Sequence, residues 1–174
     1  SDISLAYKNL SLTYFYNTIE NMIEYNSTTY KYYNMDDEVT LQGIEIGYKD
    51  EIIEELLGSI NYTYTSAKDN NDKRLQRRAK DSVKIALDYY GINKFHFNLN
   101  AEYVGDREQY DFGTYKVSAN TGNYTLWNSV INYEINKTFK AYLKLDNITN
   151  KRYQTIDTYG TAERSGYVGL KATF

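Results

Sequence analysis

Gly166-Tyr167-Val168-Gly169-Leu170-Lys171-Ala172-Thr173-Phe174 is the stretch that decides the fold. Val168, Leu170, Ala172 and Phe174 share one face of an extended strand, and Tyr167, Lys171 and Thr173 share the other. An apolar residue at every second position, up to an aromatic end, suits a strand that turns one face to lipid. Such a strand persists only where every backbone group is paired in a closed sheet.

The same period of two recurs upstream, with polar breaks between the runs. The predicted strands carry Ile3 to Tyr7, Leu10 to Tyr16 with an extension toward Met22 or Ile23, Val39 to Tyr48, Leu56 to Tyr64, Val83 to Tyr89, Phe95 to Tyr103, Trp127 to Ile135 and Phe139 to Leu145. In the third strand the apolar phase changes between Leu41 and Ile44, so a bulge is expected at Gly43. Short breaks are expected at Lys8-Asn9, Lys49-Asp50, Tyr90-Gly91-Ile92-Asn93 and Asn136-Lys137. Long polar connections are expected from Tyr25 to Glu38, Ser66 to Asp81, Asp106 to Asn123 and Asn147 to Ser165. Short and long connections alternate, so all the long ones fall at one end of the sheet. A soluble sandwich has no reason for that arrangement. A barrel with short periplasmic turns and long external loops requires it. Aromatic residues flank the apolar stripes (Tyr62, Tyr64, Tyr89, Tyr103, Phe95, Phe139 and Phe174), where interfacial rings sit.

Composition agrees. Aromatic residues make up 16% of the 174 residues, with 21 tyrosines, and Tyr and Thr favour pleated surfaces. Proline is absent, so nothing interrupts long hydrogen-bond ladders, and without cysteine no disulfide or thiolate metal site can form. A net charge of −3 with no dense basic stripe argues against a nucleic-acid partner. Mean hydropathy is −0.69, and no apolar run approaches the ~18 residues of a spanning helix. Barrel strands escape that test, because a sliding window averages their two faces. Ser1-Asp2-Ile3-Ser4 has no signal-peptide pattern, which is expected of a mature chain or of a piece of a longer one.

A set of tags then appears in a fixed order: Gly43-Ile44-Glu45-Ile46, Asn61-Tyr62-Thr63-Tyr64-Thr65, Arg78 ahead of the Val83 strand, and Ala101-Glu102-Tyr103-Val104-Gly105-Asp106-Arg107. Tyr124-Thr125-Leu126, Leu145-Asp146-Asn147-Ile148-Thr149-Asn150-Lys151-Arg152-Tyr153 and Arg164-Ser165-Gly166-Tyr167 follow, before the terminal Phe174. Together, over nearly the whole chain, they resemble the C-terminal part of TonB-dependent outer-membrane receptors. The chain departs from the family in lacking the Pro often found before the strand near Asp81, and the bulky apolar residue often found where Ile148-Thr149 stands. The resemblance implies an all-β, antiparallel transmembrane β-barrel in the outer membrane of a Gram-negative bacterium. Residues 1–174 would supply roughly nine C-terminal strands of about 22. The plug, the box that engages the TonB complex and the early strands are not among these residues.

The resemblance also implies a receptor rather than an enzyme, with no cofactor. Its partners would be a ferric siderophore first, or haem or cobalamin, together with TonB, outer-membrane lipid and the barrel assembly machinery. Three loop groups are candidates for holding the ligand: Arg107 with Tyr110 and Tyr115; Arg152, Tyr153, Tyr159 and Arg164; and Tyr30, Lys31, Tyr32 and Tyr33. Arginine offers a planar fork to anionic oxygens, and tyrosine a ring to stack on and a hydroxyl to donate. For any one of them the plainer reading is a solvated loop, an interfacial ring or a structural ion pair, and for Arg152 and Arg164 a lumen-facing structural pair. Tyr167, Val168, Leu170 and Phe174 would form the assembly signal.

His96, between Phe95 and Phe97, should face the lumen near the short turns, too deep for a haem ligand. Lys84, Asp88, Asn98, Asn100 and Glu102 are further lumen candidates. Asp36, Asp37 and Glu38 form an acidic group that suits a solvated loop better than calcium. The Asn-x-Thr matches follow from strand and loop composition. No nucleophile elbow, zinc-protease or phosphate-loop motif is present. A passive pore or a surface-interaction barrel remains the alternative.

Overall fold

The computed structural model describes residues 1–26, 29–35, 38–111, 116–118, 122–156 and 158–173; the side chains of residues 110–111 and 116–118 fall outside that description. Its strands are β1 (Asp2–Tyr7), β2 (Leu10–Ile19), β3 (Ile23–Asn26), β4 (Lys31–Asn34), β5 (Val39–Ile53), β6 (Leu56–Asp69) and β7 (Asp81–Tyr89), followed by β8 (Phe95–Val104), β9 (Gln109–Asp111), β10 (Lys116–Ser118), β11 (Tyr124–Glu134), β12 (Phe139–Asp146) and β13 (Ser165–Ala172). Nine of them form one antiparallel sheet in the order β1-β2-β5-β6-β7-β8-β11-β12-β13. It is an up-and-down meander that does not close on itself within this chain.

The register explains the alternation. Leu5 pairs with Leu12, Leu12 with Ile46, Ile46 with Tyr62, Tyr62 with Val83 and Val83 with Tyr103. Farther on, Phe97 pairs with Ile131, Ile131 with Leu143 and Leu143 with Val168. Directly opposed residues point the same way, so these chains trace one continuous apolar face. Much of that face is open: Val168 is 82% exposed, and Leu5, Leu170 and Ile3 are similarly bare. An exposed apolar face of this extent marks an interaction surface, and in a closed sheet it meets hydrocarbon. Rings crowd its short-turn edge, with Phe95 4.7 Å from Tyr133 and 5.7 Å from Phe97 between ring centroids.

The opposite face is polar, and its side chains bond to one another. Asp88 Oδ1 lies 2.7 Å from His96 Nε2 and accepts Asn98 Nδ2 at 3.0 Å. Asn100 Nδ2 donates to Asn98 Oδ1 at 2.9 Å, and Asn128 Nδ2 to Asn100 Oδ1 at 3.1 Å. Asn128 Oδ1 then accepts the backbone N–H of Asn147 at 2.9 Å. This ladder climbs the inner wall from the short-turn end to the base of a long loop. Lys84 and Glu102 lie on the same face, 3.6 Å apart. His96 is where the alternation puts it, stacked on Tyr90 at 4.5 Å.

Four details differ from the sequence-based expectation. The break at Lys49-Asp50 is strand: β5 runs on to Ile53, pairing Lys49 with Ser59 and Asp50 with Gly58. The turn is at Glu54-Glu55, with Glu55 in the left-handed region (φ 65°), and charged residues on both faces had hidden the strand end. The bulge expected at Gly43 is absent, and the register slips instead between Glu51 and Ile53. The phase change at Gly43 has another cause. Val39 and Leu41 face inward, where Val39 joins Met35, Ala67 and Leu75 in a small buried cluster with Met22 and Leu41 packed against it. Next, β2 ends at Ile19 and does not reach Met22 or Ile23; Ile23 opens a separate hairpin, β3–β4. Finally, the connection from Asp106 to Asn123 contains a second hairpin, β9–β10, too short for its alternation to be read from sequence.

Candidate functional site

Connections alternate in the structure as expected. Lys8-Asn9, Glu54-Glu55, residues 90–94 and residues 135–138 turn at one end. In the last of these, Asn136 Oδ1 accepts the N–H groups of Thr138 and Phe139, both at 2.9 Å. At the other end stand the four long loops, residues 20–38, 70–80, 105–123 and 147–164. The candidate site is this rim.

The loops differ in how they present their candidates. On β3–β4, Tyr32 is 76% exposed and Tyr30 similarly bare, and the Tyr25 and Tyr32 rings lie 5.2 Å apart. Tyr33 is partly covered; its hydroxyl donates to Glu24 Oε2 at 3.3 Å. Burial, then the Glu24 carboxylate, hold that phenol above its ordinary pKa. Tyr159 is 64% exposed, near the tip of the fourth loop. That loop forms a hollow of about 480 Å³ lined by Lys151, Arg152, Tyr153, Gln154 and residues 160–163. Arg152 is exposed and lies 3.7 Å from Glu163, so its ion pair is a loop pair open to solvent. Arg164 is also exposed, and its backbone N–H donates to Asn150 Oδ1 at 2.8 Å.

Arg107 behaves differently. It is only 7% exposed. Its Nη2 donates to the Gln154 carbonyl at 2.8 Å and its Nη1 lies 3.5 Å from that of Thr155. Its guanidinium lies 5.3 Å from the Tyr124 ring, which packs against Tyr153 at 4.5 Å. Arg107 and Tyr153, assigned to separate loop groups from sequence, therefore meet. Tyr110 lies in β9, with its side chain outside the description. Tyr115, Asp36, Asp37 and Phe174 lie outside the described residues altogether.

Sequence reasoning missed Asn147 and Gln109. Asn147, in the left-handed region (φ 51°), is 4% exposed. Its amide accepts Lys151 N–H at 2.8 Å and donates to Lys151 O at 3.0 Å, which closes the start of the fourth loop. The string Asp146-Asn147-Ile148-Thr149-Asn150 was the available signal, since Asn favours such turns. Gln109 is 2% exposed, and neither side-chain amide atom has a hydrogen-bond partner among the described residues.

A meander with one lipid-compatible face, one hydrogen-bonded polar face and every long loop at one rim is the wall of an outer-membrane β-barrel. The family model described as "TonB dependent receptor-like, beta-barrel" matches residues 2–148, and the chain belongs to that family of Gram-negative outer-membrane proteins. Its sequence is 29% identical over 167 residues to the vitamin B12 transporter BtuB of Vibrio cholerae, covering 94% of this chain and 27% of that protein. The chain thus spans about a quarter of the length of the curated relatives it matches. Among solved structures, the ferric enterobactin receptor PfeA of Pseudomonas aeruginosa (R480A mutant, with enterobactin) superposes with a TM-score of 0.76 at 19% identity, covering 99% of this chain and 30% of that one. The ferric-catecholate import receptor Fiu of E. coli gives 0.73 at 18% identity, over 95% and 25% of the two chains. At such identities these likenesses speak to fold alone.

Proposed function

We propose that residues 1–174 form the C-terminal wall of a receptor for TonB-energised uptake of a scarce metal chelate, most simply a ferric siderophore. The observation that carries this reading is the rim. Exposed tyrosines on two different loops, Tyr30 and Tyr32 on one and Tyr159 on another, stand with the exposed cation Arg152 at one end of the barrel wall. Rings for stacking beside cations suit an anionic aromatic chelate. Tyr110 and Tyr115 belong to the same proposed surface. The wall itself is scaffold, and no bond of the ligand is broken. The plug and the TonB-contacting segment would come from outside these residues. The Val168 and Leu170 face, ending at Phe174, would be read by the barrel assembly machinery.

The similarity to a vitamin B12 transporter favours a second reading, a cobalamin receptor. The two readings separate on the full-length receptor, titrated with a panel of ferric siderophores and with cyanocobalamin and followed by fluorescence quenching and TonB-dependent uptake. A siderophore bound tightly and imported supports the first reading; cyanocobalamin alone bound and imported replaces it with the second. Replacing Tyr32 or Tyr159 with Ala is expected to weaken binding about tenfold, the loss of one stacked ring. Removing residues 106–123 should cost more affinity while the barrel remains folded.

A further inference from the structure

The four long loops are tied to one another at their bases, in chain order. Met22 and Met35 of the first loop pack with Leu75 of the second around Val39 and Ala67. Arg77 N–H of the second donates to Glu108 O of the third at 2.7 Å, and Arg74 Nη1 lies 3.5 Å from Asp106 and 3.9 Å from Glu108. Arg107 of the third then reaches the Gln154 and Thr155 carbonyls of the fourth. The bases form a continuous collar, and the exposed tyrosines stand on the loops above it.

We infer that Arg107 is a positioning residue. Its guanidinium locks the third loop to the fourth and so fixes the separation of the loop tips. Three features point this way. The fork is directed at two successive carbonyls, a bidentate geometry that a lysine cannot copy. The site is nearly closed to water, where charge-assisted bonds to carbonyls are strong. The partners lie 47 and 48 residues away in sequence, so the contact removes freedom from a long loop that backbone ladders do not hold. A guanidinium held this way must leave Gln154 and Tyr124 before it can touch a ligand.

This inference deepens the receptor reading, yet its first test needs no ligand. The assembled full-length receptor is compared with Arg107→Lys by amide hydrogen exchange in the absence of any chelate. Exchange across residues 147–164 should rise about tenfold, with β11 and β12 unchanged, as for loss of a charged hydrogen bond. Exchange there within twofold of the parent overturns the inference; if ferric-chelate binding is lost at the same time, Arg107 is a direct ligand contact instead. Tyr153→Ala weakens the same joint from the other loop and leaves Arg107 in place. It should raise exchange at residues 151–156 severalfold, and no change there also overturns the inference. With a chelate that the parent receptor binds, Arg107→Lys should speed release and leave the association rate within about twofold, since loosened tips still meet the ligand but hold it less well. Faster exchange in a receptor that binds no siderophore or cobalamin would refute the receptor reading and leave the lock intact.

Discussion

The sheet and the collar above it are held by different devices. In the sheet every strand has a backbone ladder, and the outward side chains need only be apolar. In the collar, backbone bonds between loops are few among the described residues, and single side chains join segments far apart in sequence: Arg107 to Gln154 and Arg74 to Asp106. A substitution in the sheet should therefore be graded by its face and depth. One in the collar should be graded by which joint it removes, with the effect confined to the loops.

Adjacent residues of β12 put the strongest strain on this comparison. Leu143 faces outward and pairs with Ile131 and Val168, whereas Lys144 faces inward, 2.8 Å from Asp146. Leu143→Arg is expected to destabilise the assembled barrel by about 2–4 kcal/mol, the cost of a cation on the lipid face near mid-depth. Lys144→Gln should change stability little. Urea unfolding in lipid vesicles measures both, and equal effects at the two positions would break the two-face description.

Next in size is Gly43→Val. A Cβ at Gly43 would stand 2.0 Å from the Tyr64 carbonyl oxygen and 2.5 Å from the Phe15 ring. Backbone blocks it on one side, so a cost of about 1–3 kcal/mol is expected in the same unfolding assay. Gly169 makes the internal control. The nearest neighbour of a Cβ there is the Tyr142 ring, at 2.3 Å, the far end of a side chain, which can give where backbone cannot. Gly169→Ala should therefore cost less than Gly43→Val, and the reverse order would mean that the ring, not the backbone, limits both sites.

These two tests bear on the part of the molecule that was legible in the sequence. Alternation exposes both faces of a strand, so the nine-stranded meander, the loop polarity and the depth of His96 could all be read from residue order. It failed where an inward apolar cluster mimicked a phase slip, at Val39 and Leu41, and where charges continued inside a strand, at Lys49 to Glu51. The collar was much less legible. Arg107 is only one arginine in a polar run. Nothing local says that its fork reaches residues 154 and 155, because that contact is a property of two loop paths. Exposed tyrosines such as Tyr32 could be proposed from composition, but which rings stay open depends on the same paths.

Asn147→Ala tests the collar at its best-bonded point. It removes both side-chain bonds to Lys151 and puts a Cβ-bearing residue without a turn-forming amide at φ 51°. A local loss of about 1–3 kcal/mol is expected, read as faster amide exchange in residues 147–164 with an unchanged urea midpoint. Asn147→Gly keeps the backbone conformation at no steric cost and should recover part of the protection. A shift of the urea midpoint with Asn147→Ala would show that the loop base and the barrel unfold as one unit.

The smallest effect, and the one opposite in sign, is expected at Gln109. On the inner wall the polar side chains answer one another: Asn98, Asn100 and Asn128 each have a partner in the ladder. Gln109 is almost fully buried, yet its Oε1 and Nε2 bond to nothing among the described residues. A buried amide without partners costs on the order of 1 kcal/mol or more, and an apolar residue of similar size removes that cost. Gln109→Leu should therefore slow amide exchange in residues 105–111 of the ligand-free receptor by severalfold. If it speeds exchange instead, the amide has a partner supplied by the rest of the assembled receptor, and the third loop is anchored at a second point besides Arg107. Combining Gln109→Leu with Arg107→Lys separates the two contributions. Additive changes mean that the residues act on independent joints, and a shortfall of the double variant means that they hold the same one.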